Sequence, residues 1–457
     1  MRTRSRLVFL IVLAAASAAF ALLAGACGSQ RTASPRRVTE AAALPPAVRT
    51  LSPLPARALS PESGRALARA MRKAEAAREL GWLNEPAMIE LTGWEYGTRA
   101  RELTEVLGGG ELRAMSRLAV AGGMLPEGTD LATLAASFTA AASSAVYSPY
   151  DKRVLLLATE RGAREEGKER GRAEEPLLAH ELTHALQDQH FDLLALLTAR
   201  PYSFDRTEAA FAVVEGDAVS VQRRVEQPDA YTRLSPDEEA RREDARFGAF
   251  RTEAGALFPP LLTETVVFRY RDGLRLVETV RRRGGARAVD ELFRRPPASS
   301  EQVLHPEKYA AGETAREALL DEGAFTQSGW TIAASTPLGE IGVRGLLLKS
   351  LGRREAESAA AGWGGDRAYL FERAGGGGPL FAWRTVWDTT ADAQEFFRSY
   401  NEHARARGKA DEARSNGDAQ RVWRDGDVVT IVRLEGETVL VLRGREQDVS
   451  AALQHIR

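Results

Sequence analysis

The run His180-Glu181-Leu182-Thr183-His184 carries the residue types best suited to chemistry. On a helix, side chains four apart lie about 40° apart around the axis and one turn apart along it. Both imidazoles can therefore reach one Zn2+ at about 2.0–2.1 Å. Zinc lowers the pKa of a coordinated water to about 7. Glu181, beside the first His, is placed to draw off that water's proton. Leu178, Leu182 and Leu186 trace a second stripe that anchors such a helix in a core. The bland alternative is two surface histidines on an amphipathic helix. A preceding strand pattern and an export signal weigh against it.

A third ligand has to come from elsewhere. His190, His305, His403 and His455 are the other histidines, and the one cysteine is Cys27. His180, His184 and His190 have the spacing of the three-His metzincin pattern, but Gln187 stands where that pattern needs Gly. All five Met (Met1, Met71, Met88, Met115, Met124) precede the motif, so the downstream Met-turn is missing as well. A carboxylate from a second helix is the other solution. Glu215, in Val213-Val214-Glu215-Gly216-Asp217-Ala218, has an apolar setting, and Gly216 allows close backbone approach. Glu208, seven residues earlier, lies on nearly the same face and stays open as the alternative. Asp188 or Asp192 are candidate partners for the second nitrogen of a ligand His, while Asp217 points elsewhere on its helix.

The stretch Leu178-Ala179-His180-Glu181-Leu182-Thr183-His184-Ala185-Leu186-Gln187-Asp188-Gln189 resembles a group of largely uncharacterised bacterial zinc metallopeptidases of the gluzincin type. Three further stretches resemble theirs: 125–130 (LPEGTD), 214–218 (VEGDA) and 300–309 (SEQVLHPEKY). The resemblance covers residues 120 to 310. It implies a zincin fold with Glu215 as third ligand and names no substrate. The segment Ala145-Val146-Tyr147-Ser148-Pro149-Tyr150-Asp151 departs from that group, as does the long charged loop after the following strand. His305 and Tyr309 are candidate oxyanion stabilisers, set against a helix-ending His-Pro that simply packs.

Several elements must position these groups. Residues 61–107 read as helical, with breaks at Gly108-Gly109-Gly110 and a further helix over 111–120. Residues 153–159 read as a buried strand, 177–193 as the motif helix with Pro176 in its first turn, and 206–224 as a second strong helix. From residue 331 the texture changes: strands over 366–373 and 379–388, a helix over 390–406, and a hairpin around Glu435-Gly436. Trp363, Trp383, Trp387 and Trp423 fall there, and packed core is the expectation over a ligand-stacking platform. The predicted class is α+β: a mostly helical zincin-like metallopeptidase domain with a short edge sheet, then a smaller α+β domain. The domain boundaries are 1–26 (signal), 27–58 (tether), 59–330 and 331–457.

The chain has 457 residues, 62 basic against 63 acidic, for a net charge of -1. That balance argues against nucleic acid as a partner. Arg2, Arg4 and Arg6 precede an apolar run from Leu7 to Leu23, then Ala24-Gly25-Ala26-Cys27. This pattern resembles a bacterial lipobox, with Cys27 lipidated; an uncleaved anchor helix is the alternative. A Pro- and Arg-rich tether follows. The expectation is an extracytoplasmic, lipid-anchored protein of the bacterial cell envelope, with Zn2+ as cofactor and a peptide or protein as substrate. Two rivals remain: a non-catalytic, metal-stabilised envelope lipoprotein with an assembly or chaperone role, and a lipoprotein whose motif is coincidental. Replacing Cys27 with Ser should release the mature protein from membranes or leave it unprocessed. Lipid labelling that persists in the Cys27→Ser protein would overturn the anchor.

Overall fold

The computed structural model describes residues 51–455, apart from 143, 159–170, 200, 232, 256–257, 374–376, 413 and 417–418. Cys27, the expected signal and most of the expected tether lie outside these. Among the described residues no helix is long and apolar enough to cross a membrane.

The first helix, Pro61–Arg78, starts where sequence chemistry places it. Ser60 accepts the Ser63 N–H, and Pro61 occupies the first turn. It stops at Glu79, which takes a left-handed conformation with φ 60°. The 61–107 stretch is not helical throughout, because β1 (Ala87–Leu91) interrupts it. Pro86 disfavours helix for the residue before it. Met88, Ile89 and Leu91 are buried instead on a strand running parallel to β3 (Arg153–Leu157). β2 (Ala145–Ser148) pairs antiparallel on the other side of β3, so the sheet order is β1-β3-β2.

Three helical elements build the middle of the molecule. The motif helix spans Gly171–Phe191, so Pro176 lies inside it rather than in its first turn. The carboxylate helix, Phe204–Glu226, is capped by Ser203 and carries Arg223 and Arg224 in its last turn, matching the helix dipole. It is buried on all sides over most of its length, as a central helix must be. The third element is a helix over Pro260–Val267, a π-helical turn over Phe268–Asp272, and a long helix over Gly273–Arg294. Leu178, Leu182 and Leu186 pack with Leu67, Ala70 and Ala74 of the first helix, as the apolar stripe predicts.

The C-terminal part is a seven-stranded antiparallel sheet of order β4-β5-β6-β10-β9-β8-β7. Its strands are β4 (Trp330–Thr336), β5 (Trp363–Arg373), β6 (Leu380–Trp387), β7 (Lys409–Ala410), β8 (Gln420–Asp425), β9 (Val428–Glu435) and β10 (Thr438–Arg445). A helix over Thr390–Arg405 packs on it. The sequence reading finds β5, β6, the helix and the β9–β10 hairpin, and misses β4, β7 and β8. Trp363, Trp383, Trp387 and Trp423 are all buried, so they are core rather than an open platform. The class is α+β. One hydrophobic core runs from Leu118 and Phe204 of the helical part to Phe381 and Trp383 of the sheet.

The carboxylate helix and the π turn meet through two glycines. A Cβ on Gly216 would collide with the main-chain carbon and oxygen of Gly273, and one on Gly273 with the Ala212 carbonyl. Backbone cannot step aside as a side chain can, so Gly216→Val should destabilise by about 3 kcal/mol or more. Gly248, which has nothing within 4 Å of its Cβ position, is the control. Gly248→Ala should leave stability unchanged or raise it by about 1 kcal/mol. Thermal unfolding of the two variants checks this, and equal effects would refute it.

Candidate metal centre

His180 and His184 project from one face of the motif helix, and their Nε2 atoms stand 3.2 Å apart. Glu215 Oε2 lies 3.3 Å from His180 Nε2 and 3.6 Å from His184 Nε2. Zinc bonded tetrahedrally at about 2.0–2.1 Å holds its ligand atoms about 3.3–3.4 Å apart. The observed triangle has that size. All three residues are buried, and Glu215 Oε2 and His180 Nδ1 have no hydrogen-bond partner. Buried polar atoms left unpaired are costly, and a cation facing Oε2 supplies the missing interaction there. Two imidazoles and one carboxylate are also a donor set zinc accepts with a fourth position open. The residues present therefore fit the ion.

The charges respond to this crowding. Burial opposes protonation of His184, but the adjacent Glu215 carboxylate outweighs it and raises the pKa to about 9. Burial likewise opposes the Glu215 charge, and His184 and His180 overcome it, holding that carboxyl well below the usual range. Without metal the site is a His–Glu ion pair, so a metal entering it displaces a proton.

A chain of hydrogen bonds fixes His184. The amide nitrogen of Gln187 donates to the Val214 carbonyl and to Asp217 Oδ2, each at 3.0 Å. Both are acceptors, so the amide orientation is settled and Gln187 Oε1 must accept from His184 Nδ1, at 3.0 Å. That tautomer leaves Nε2 free to bind metal. Arg78, itself fully buried, holds Asp217 at 2.7 Å and reaches Asp290 at 2.7 Å. Asp217 was expected to point elsewhere; it supports His184 through Gln187. Asp188 instead accepts from Tyr147 Oη at 2.6 Å and from Lys152, and Asp192 caps the helix Leu193–Leu197. The residue that breaks the three-His pattern is thus the one that orients His184.

The other expected residues sit as follows. Glu181 is fully buried, and its Oε2 accepts the main-chain N–H of Tyr147, on β2, at 2.8 Å. Glu208 is paired with the buried guanidinium of Arg269, through bonds of 2.7 and 2.6 Å. His190 bonds the Gly81 carbonyl. His305 bonds Glu340 at 3.0 Å, and Tyr309 donates to the Arg295 carbonyl at 2.9 Å. Glu208, His190, His305 and Tyr309 do not group with the His180–His184–Glu215 triangle.

One residue of the site escaped the sequence reading. Tyr270, on the π turn, lies parallel to the His180 ring, at 7° and 6.1 Å between centroids. Its hydroxyl is buried beside the Glu215 carboxylate. Burial, then the neighbouring Glu215 and Glu181 carboxylates, push its pKa well above 10, so the phenol keeps its proton as a donor. No motif marks Tyr270; a π turn is a feature of the folded backbone.

Zinc content after mild chelation tests the ligand set. Glu215→Ala should lose the metal, while His190→Ala and Glu208→Ala keep it. Gln187→Leu should weaken zinc binding about 10–100-fold, since it removes the bond that sets the His184 tautomer. Full retention of zinc in Glu215→Ala would overturn the assignment.

Residues 312–454 match a family described as Domain of unknown function (DUF8575). That match begins ahead of β4 and takes in the whole C-terminal sheet. No curated protein and no solved structure matches the chain.

Proposed function

We propose that this chain is a zinc-dependent peptidase, lipid-anchored through Cys27 outside the cytoplasm, that hydrolyses peptide bonds in peptides or proteins. The observation that carries this is the His180–His184–Glu215 triangle with Glu181 adjacent to it. Bound zinc would supply Lewis acidity, polarising the scissile carbonyl and lowering the pKa of the attacking water. Glu181 takes one proton from that water as its oxygen bonds to the carbonyl carbon. The same carboxyl then gives the proton to the departing amine as the C–N bond breaks. The Tyr147 N–H holds Glu181 Oε2 and so aims the carboxylate during both transfers. The Tyr270 hydroxyl, protonated and buried beside the triangle, is suited to donate to the oxygen that becomes negative.

One observation favours a second reading. His180 and Glu181 are fully buried, whereas a substrate has to reach a catalytic group. On that reading the chain is a metal-stabilised envelope lipoprotein without catalysis.

Kinetics on an unstructured protein such as casein decide between them. Glu181→Gln should keep its zinc while kcat falls about 10²–10⁴-fold. Tyr270→Phe should lower kcat about 10²-fold or more with zinc retained. A wild-type chain that holds zinc, unfolds at lower temperature on chelation and cleaves nothing would establish the structural reading instead.

A further inference from the structure

Most buried arginines of this chain meet carboxylates. Arg78 pairs with Asp217, Arg223 with Glu243, Arg269 with Glu208, and Arg344 with Glu264. One cluster of three cations, two half-buried and one exposed, has no such partner. Lys349 follows the helix Gly339–Leu347, Arg407 follows the helix Thr390–Arg405, and Arg443 lies on β10. Lys349 Nζ and Arg407 Nη1 reach the same oxygen, the Gly123 carbonyl, at 2.8 and 2.6 Å. Arg443 Nη1 reaches the Ala121 carbonyl at 2.7 Å. The three cations therefore stand side by side at the C-terminal end of the helix Gly109–Ala121.

No carboxylate forms an ion pair with any of the three among the described residues. Asp425 acts on Arg443 only through its field. The helix end supplies partial negative charge, less than one full unit against three positive charges. The repulsion acts on Lys349 itself and on a neighbouring imidazole. Burial and the two guanidiniums lower Lys349 to about 8, and the neighbouring buried His403 is pushed down to about 3 by burial and the same cations. Each guanidinium uses one of its five donors on a carbonyl, and no other nitrogen of the three is among the buried unsatisfied atoms, so the rest face solvent. Gly123 makes the arrangement possible. Its φ is 73°, and a Cβ there would collide with the Arg407 guanidinium.

We propose that Lys349, Arg407 and Arg443 form a binding site for a phosphate-type oxyanion, remote in sequence from the zinc ligands and independent of them. Two planar guanidiniums and a flexible ammonium match the several oxygens of a phosphate, and one bound anion offsets repulsion that the fold leaves uncompensated. A soluble phosphate and a phospholipid headgroup share this chemistry.

Thermal unfolding of the full chain separates the outcomes. Inorganic phosphate should raise Tm saturably over sodium chloride of equal ionic strength. In Lys349→Gln and in Arg407→Gln the half-saturating concentration should rise about tenfold. Lys349 is exposed, so its variant folds even where the Arg407 variant does not. Dihexanoyl phosphatidylglycerol, kept below its micelle concentration, is the second probe. A rise at concentrations where phosphate is silent assigns the site to a headgroup, and a rise with phosphate alone assigns it to soluble phosphates. No rise with either probe, or an unchanged phosphate response in both variants, overturns the site and leaves the cations as a strap across the helix end.

Discussion

The contact between Gly216 and Gly273 sets the distances on which the centre depends. At this crossing main chain touches main chain, with no side chain between. The carboxylate helix is thereby drawn against the π turn, and Glu215 and Tyr270 come into one small volume with His180. A wider crossing would carry Tyr270 off the imidazole. The ring stacking and the position of the hydroxyl follow from that approach.

Burial imposes the second constraint. Glu215, Asp217, Glu208 and Arg78 are all removed from water, and an isolated charge there would cost several kcal/mol. Each is therefore matched: Arg78 with Asp217, Arg269 with Glu208, and Glu215 with two imidazoles. Pairing of this kind adds little net stability over an apolar core, but it makes geometry specific, because any displacement strands a charge. Glu208 and Glu215 illustrate the outcome. They lie on one face of one helix, and only the partner each meets separates them: a guanidinium for Glu208, two imidazoles for Glu215.

The C-terminal sheet is joined to this centre by hydrogen bonds as well as by apolar packing. Asp366 on β5 accepts the main-chain N–H groups of Leu338 and Gly339 and the indole N–H groups of Trp363 and Trp383, at 2.7–3.1 Å. Gly339 in turn lies against Asp205, in the first turn of the carboxylate helix. The sheet thus braces the start of the helix whose middle carries Glu215. Apolar packing is continuous across this junction.

Several features set by local interactions were legible in the sequence. The spacing of His180 and His184 puts both rings on one helical face whatever surrounds them. The β9–β10 hairpin follows from alternating residues around Glu435-Gly436, and Glu215 stood out by its apolar setting and the Gly after it. What required the tertiary structure involves partners far apart in the chain. β1 became a strand because β3, more than sixty residues later, offered a ladder to Ala87–Leu91. Asp217 supports His184 through Gln187, some thirty residues away, and Glu208 is taken by Arg269 across 61 positions. Tyr270 has no local signal at all, since a π turn and a stacked ring are products of helix crossing. Sequence spacing determines which groups share a face of an element; only packing determines what that face meets.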